Sequence, residues 1–223
     1  MPNALRLLST STSGVDPSAP GGGPTWRRTW ARPAVVAVAS FLLGAATFFL
    51  QGLLPDSLTS FANSASGWTL VTALLLIVVQ ARAAVAALLG ATSFVLLTIG
   101  YSVAAQLQGL FYDPTKFALV GVVVGPFVGI ATSWLRAAHP WQAAMGTSLL
   151  AGIGLGEAAF GLTTVADTTS PVYWALIGAA SLALVVAMLV RRIREALWAT
   201  LTVIGTCVLA GAFVMAYESL GRV

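Results

Sequence analysis

Long apolar runs, each closed by a charged or turn-forming cluster, follow one another along the chain. Seven windows hold almost no charge: 33–55, 57–81, 83–112, 117–135, 137–166, 168–190 and 196–217, with Glu157 the one interruption. The hydrocarbon core of a bilayer is about 30 Å thick and a helix rises about 1.5 Å per residue, so roughly 20 apolar residues make a crossing. Every window meets that length. The pattern predicts an all-α integral membrane bundle of about seven transmembrane helices.

Breakers and caps set the expected boundaries. Residues 1–25, rich in Ser, Thr, Pro and Gly, read as a retained disordered tail, and 26–32, Trp-Arg-Arg-Thr-Trp-Ala-Arg, as an interfacial basic and aromatic anchor. The transmembrane domain is expected over 33–218, with a short external tail at 219–223. A first helix over 33–54 should stop at Pro55-Asp56-Ser57. Larger apolar residues recur at helical spacing in 58–66, which predicts a short helix lying on the membrane surface. Two crossings must fit in 67–107, with the turn at Gln80-Ala81-Arg82 or nearer Gly90. Asp113-Pro114-Thr115 opens a helix over 115–135, since Asp can accept free amides and Pro loses no needed bond there. His139-Pro140 opens 140–163, Ser170-Pro171 opens 171–190, and the last helix covers 196–217.

Composition narrows the setting. Hydrophobic residues make up 58% of the chain and charged ones 8%, with mean hydropathy +0.90, against about 25% charged in a soluble domain. The bilayer is the expected first partner. A net charge of +4 could point to nucleic acid, but the arginines flank apolar windows and form no stripe, so no nucleic-acid partner is expected. They orient the chain instead. With the amino terminus cytoplasmic, Arg6, Arg27, Arg28, Arg32, Arg82, Arg136, Arg191, Arg192 and Arg194 fall inside, leaving only Lys116 and Arg222 outside with Asp56, Asp113, Asp167 and Glu218. The carboxyl terminus is then external. Ten arginines to one lysine, with abundant Ala, Gly and Val, fit a GC-rich bacterial genome, and the expected location is the bacterial cytoplasmic membrane.

Candidate chemistry is sparse. Glu157 is the one acid inside a crossing, where a charge costs about 2.5–3.5 kcal/mol at the bilayer centre on insertion scales. A partner or loss of its charge must compensate it. The candidate partners are Lys116, Tyr101, Gln106 and Tyr173, and two readings stand level: an ion, proton or substrate contact, or a structural bond between helices. Gly152, Gly154, Gly156 and Gly161 surround the acid, and Gly121, Gly125 and Gly129 flank Pro126 in the helix before. Small residues let helices approach, so helices four and five are expected to pack closely. The sharper alternative is that Pro126 and the Gly152–Gly156 run unwind their helices beside Glu157, as in transporter sites. Cys207 and His139 are single, which leaves no disulfide, no multi-thiolate metal site and no haem ligated by two histidines. No metal, cofactor or enzymatic activity is expected, since nucleophile motifs and acidic pairs are missing.

Across roughly 33–217 the chain resembles the small, functionally undefined multi-pass membrane proteins of actinobacteria, with Asp113-Pro114-Thr115-Lys116-Phe117 and Gly156-Glu157-Ala158-Ala159-Phe160-Gly161 as the segments such a family would share. That resemblance carries no activity. Retinal proteins are excluded, because residues 196–217 contain no lysine. The expected function is a small transporter or ligand-binding membrane protein with Glu157 in its site. The alternative is a non-catalytic subunit or scaffold whose glycine faces pack on a membrane-protein partner or a second copy.

Overall fold

A computed structural model describes residues 25–221, all of whose regular elements are helical. The expected tail, residues 1–24 of it, and Arg222-Val223 lie outside the described residues. Seven α-helices follow in order: α1 Thr25–Leu53, α2 Ala65–Val79, α3 Ala83–Leu107, α4 Thr115–Trp134, α5 Pro140–Thr164, α6 Pro171–Arg191 and α7 Ala196–Gly221. A short 3-10 helix, Thr59–Asn63, precedes α2. Six of the seven are long and apolar enough to cross a membrane, and α2, with 15 residues, is not. At 1.5 Å per residue it covers about 22 Å.

Caps explain most boundaries. Both the hydroxyl and the backbone N–H of Thr115 donate to Asp113 (2.6 and 2.9 Å), which starts α4 and holds the Asp113 carboxyl below the usual carboxylate range. Ser170 accepts from the N–H of Val172 at the start of α6, with Pro171 beside it. The α2–α3 turn is settled at Gln80, which adopts the left-handed conformation (φ 53°) and donates its N–H to Leu76. The other expected position, Gly90, is inside α3, where its face lies against the α4 backbone at Gly125. Residues 26–32, expected as an interfacial anchor, are helical and continuous with α1.

Two triplets of helices make the bundle. In the first, α3 is central: Ser40, Gly44 and Phe48 of α1 meet Ser93, Leu97 and Tyr101, so α1 runs parallel to it, while Gly121, Gly125 and Gly129 of α4 meet Phe94, Ala91 and Ala86 in antiparallel order. In the second, α5 is central. Ser148, Gly152 and Gly156 meet Gly205, Leu209 and Phe213 of the parallel α7, and Gly154, Ala158 and Gly161 meet Ser181, Gly178 and Trp174 of the antiparallel α6. Short α2 sits between the triplets, touching α1, α3, α4 and α5. Direction alternates from helix to helix, so Arg82, Arg136, Arg191, Arg192 and Arg194 gather at one end of the bundle. Asp56, Asp113, Asp167 and Glu218 gather at the other. At the arginine end, Arg136 donates to the carbonyl of Ile77 (2.9 Å), left free in the last turn of α2, and Arg192 to that of Ala137 (3.0 Å) in the turn between α4 and α5.

One expectation fails in an informative way. Residues 58–66 do not form a surface helix: Thr59–Asn63 is a 3-10 turn folded inward against α1 and α2, with Ala62, Ser64 and Ser66 buried. The 3-10 period is three residues, close enough to the helical period over nine positions to leave the two indistinguishable by spacing. What draws the segment in is a set of polar partners on α5 and α6.

Candidate functional site

Glu157 is 1% exposed and lies in the last third of α5. Its compensation comes from the first turn of α2. The N–H groups of Ala65 and Ser66 donate to Oε1 and Oε2 at 2.7 and 2.6 Å, and the Ser66 hydroxyl donates to Oε2 as well. Helix N-termini present unpaired amides and a partial positive charge, so a carboxylate placed there is stabilised twice. Gly67, the third amide of the turn, is served by the Ser64 side chain at 2.9 Å. The shortened helix and the buried acid are therefore one feature: α2 begins inside the bundle because Glu157 supplies there the acceptors that water would supply outside.

Tyr173, at the start of α6, completes the cluster. Its hydroxyl lies 2.6 Å from Ser64 Oγ and 3.0 Å from Ser66 Oγ. Each hydroxyl has one proton, and that of Ser66 goes to Glu157. The Ser64 hydroxyl also reaches the Phe61 carbonyl, to which it can donate, 3.4 Å away. The result is a chain of hydroxyls that links Ser64 through Tyr173 and Ser66 to Glu157.

Of the four partners expected for Glu157, the structure brings in Tyr173 alone. Tyr101 instead donates to Gln51 (3.3 Å) and packs edge-on with Phe48 and Tyr112. Gln106 donates to Ser102 (3.2 Å), one turn back on α3. Lys116 is exposed at the start of α4. The residues that sequence reasoning missed are Ala65 and Ser66, which act through backbone amides and, for Ser66, through its hydroxyl as well. Their one visible signal was the Ser64-Ala65-Ser66-Gly67 cap sequence.

The glycines also depart from expectation. Helices α4 and α5 do touch, with Gly146 against Ala131 and Trp134, but the glycine rows serve other neighbours. Gly121, Gly125 and Gly129 face α3, Gly152 and Gly156 face α7, and Gly154 and Gly161 face α6. Both α4 and α5 are continuous helices, through Pro126 and through Gly152–Gly156. The break that the alternative reading placed there falls instead at 55–64, ahead of α2.

Beside the α2 start lies a cavity of about 280 Å³. Asn63, Ser64, Ala65, Trp68 and Thr69 form one wall, Phe117, Val120 and Val124 of α4 a second, and Phe213, Ala216 and Tyr217 of α7 a third. Phe94, Tyr112 and Ile153 complete the lining, none of which is charged. Burial, with Tyr101 and then Asp113 nearby, pushes the Tyr112 hydroxyl up to about 12, so it too is neutral at physiological pH. A second depression of about 310 Å³, between Leu54, Leu58, Phe61, Leu70 and α6, is almost wholly apolar. Among the described residues no group of three His, Cys, Asp or Glu side chains is placed to hold a metal ion.

Fold and site together define an integral membrane protein: a helical bundle in which Glu157, the one buried acid among the described residues, is bonded to the start of a short helix. The chain belongs to DUF6518, a family of unknown function whose model matches residues 23–222. No curated protein and no solved structure matches it.

Proposed function

We propose that the protein is a non-catalytic binding protein or small transporter of the bacterial cytoplasmic membrane, whose site is the cavity beside the start of α2. The arginine end of the bundle lies in the cytoplasm, so the amino terminus is inside, the carboxyl terminus outside and the cavity in the outer half. The observation that carries the reading is the placement of that cavity against a helix start held inside the bundle. Discontinuous helices form sites in this way in secondary transporters, because a broken helix brings polar backbone to membrane depth only where protein or a cavity surrounds it. Glu157 serves the site as a positioning residue. Its oxygens are engaged by Ala65 and Ser66, and it reaches a ligand through the wall that α2 forms.

The scaffold reading draws less support. It rested on glycine faces free to meet a partner, and those faces are covered within the chain. A thermal-shift screen of the protein in nanodiscs separates the two: a stabilising compound whose effect disappears in Val124→Trp supports the cavity. A stoichiometric membrane-protein partner in mild detergent, with no stabilising compound, overturns it. The expected effect of saturating ligand at 100 times Kd is about 2.7 kcal/mol.

A further inference from the structure

We infer that the cavity is filled from the bilayer and not from water, by a neutral amphipath: a molecule with one uncharged polar end and a flexible apolar body. This rests on the cavity being the binding site, as proposed above. Three observations on its walls point the same way. First, the lining carries no charge, while six of its side chains, Trp68, Phe94, Tyr112, Phe117, Phe213 and Tyr217, are aromatic. An ion or charged metabolite would find nothing to replace its hydration, whereas an apolar chain gains by burial against rings. Second, the hydrogen-bonding side chains of the lining are all neutral: Asn63, Ser64 and Thr69 where the chain enters α2, and the hydroxyls of Tyr112 and Tyr217 among the rings. Ser64 is linked through Tyr173 and Ser66 to Glu157, so an uncharged hydroxyl or carbonyl finds polar partners in an otherwise apolar space.

The third observation is which helices bound the cavity. Helix α4 packs on α3, α5 and α2, and α7 packs chiefly on α5, while the residues these two helices contribute to the lining include exposed Phe117 and Ala216. Both helices are long and apolar enough to span a membrane, so an opening between them would meet acyl chains. Ligand pockets usually measure about 300–1,000 Å³, and 280 Å³ lies at the small end. The cavity therefore encloses the polar end and the first part of the chain, and the rest of the molecule stays among the lipids. A water-soluble ligand needs complete enclosure to gain as much.

The test uses the full chain in phosphatidylcholine vesicles with a photoreactive monoacylglycerol that carries a diazirine near its glycerol end. An equally long diazirine fatty acid is the charged control. After irradiation, peptide mapping should place the neutral probe on Phe117–Val124 and Phe213–Tyr217, with the fatty acid labelling those segments about tenfold less. Ala216→Phe, which narrows the mouth at an exposed position, and Val124→Trp, which fills the interior, should each lower that labelling about tenfold while labelling at lipid-facing Leu182 and Val186 is unchanged. Should Val124→Trp fail to fold, Ala216→Phe alone decides. Equal labelling by both probes, or labelling indifferent to both variants, overturns the inference. If a water-soluble compound stabilises the protein in a way that Val124→Trp abolishes, while the neutral probe leaves the cavity unlabelled, the site stands and entry from the bilayer does not. If no compound and no probe reaches the cavity, both readings fall.

Discussion

Helices α5 and α7 lie side by side, run in the same direction and differ in length by one residue, yet they belong to different environments. Over their apolar windows, 72% of α5 is buried inside the protein and 11% of α7. Mean hydropathy runs the opposite way, 1.3 for α5 and 2.0 for α7. In water the buried helix would be the more apolar. In a bilayer lipid is as apolar as leucine, so hydrophobicity gives a helix no reason to choose protein over lipid, and what marks an interior helix is small and polar side chains that permit close approach. Gly146, Gly152, Gly154, Gly156 and Gly161 give α5 that character, with Thr147, Ser148 and Glu157. The outward positions of α7, among them Leu197, Val203, Ile204, Val208 and Met215, are what lipid requires. If the comparison is right, cost should track the helix a substitution falls on, and in α5 the depth at which it falls.

The largest effect should come from Glu157→Ala, which leaves two backbone donors and a hydroxyl without an acceptor at the start of α2. Leaving a buried donor unsatisfied costs about 1–3 kcal/mol, and with three donors affected the summed loss should appear as a clearly lowered unfolding midpoint in mild detergent. A loss below about 1 kcal/mol would mean that α2 finds its acceptors elsewhere. Next comes Gly156→Ala. The new Cβ would stand 2.7 Å from the Ala210 carbonyl oxygen and 2.8 Å from Phe213 Cβ, so α5 and α7 must separate. Overpacking of this kind costs about 1–3 kcal/mol, and the same substitution at Gly152, 2.6 Å from Leu209 Cβ, should fall in that range. Stability unchanged at both positions would break the claim that α5 is held by close approach.

Glu157→Gln ranks third. It keeps an acceptor oxygen for the Ala65 amide and sets an NH2 group against the Ser66 N–H and hydroxyl, of which only the hydroxyl can turn to accept, so charge-assisted bonds are lost while one acceptor at the helix start remains. The expected cost is about 1–2 kcal/mol, and the difference from Glu157→Ala measures how much of the role is charge and how much is an oxygen atom in the right place. A variant less stable than Glu157→Ala would show that the extra donor clashes with Ser66, and would reassign the site to the Ser66 hydroxyl.

These residues also show where sequence reading succeeds. Apolar length and turn chemistry are local, so the helices at 115, 140, 171 and 196 begin at the positions expected for them, and Asp113 and Ser170 cap as their types predict. Glu157 stood out because charge is rare at membrane depth. Its partners did not, because Ala65 and Ser66 lie 92 and 91 positions away and contribute backbone amides, which every residue except proline possesses, with one serine hydroxyl among the many in the chain. Glycine rows announce close approach without naming the neighbour: read from sequence, Gly121-Gly125-Gly129 pairs with α5 on the small residues that both helices carry, whereas the matching surface is Gly90 and the small residues around it in α3. The 3-10 entry to α2 was hidden by a period too close to 3.6 to resolve over nine residues.

The smallest expected effect falls on α7 itself. Gly211 has open space where a side chain would stand and is exposed, in contrast to Gly152 and Gly156 at the α5–α7 contact. Gly211→Ala adds a methyl group that meets lipid and removes the conformational freedom of glycine from the unfolded chain, which in a helix interior is worth roughly 0.5–1 kcal/mol in favour of Ala. The unfolding midpoint should hold or rise slightly. A fall of more than about 1 kcal/mol would require a surface pressed against α7 at that point, and the described chain offers none. The covering surface would then belong to a second copy or another membrane protein. The low burial of α7 would describe an interface and not a lipid face, and the contrast between the two helices would hold only for the isolated chain.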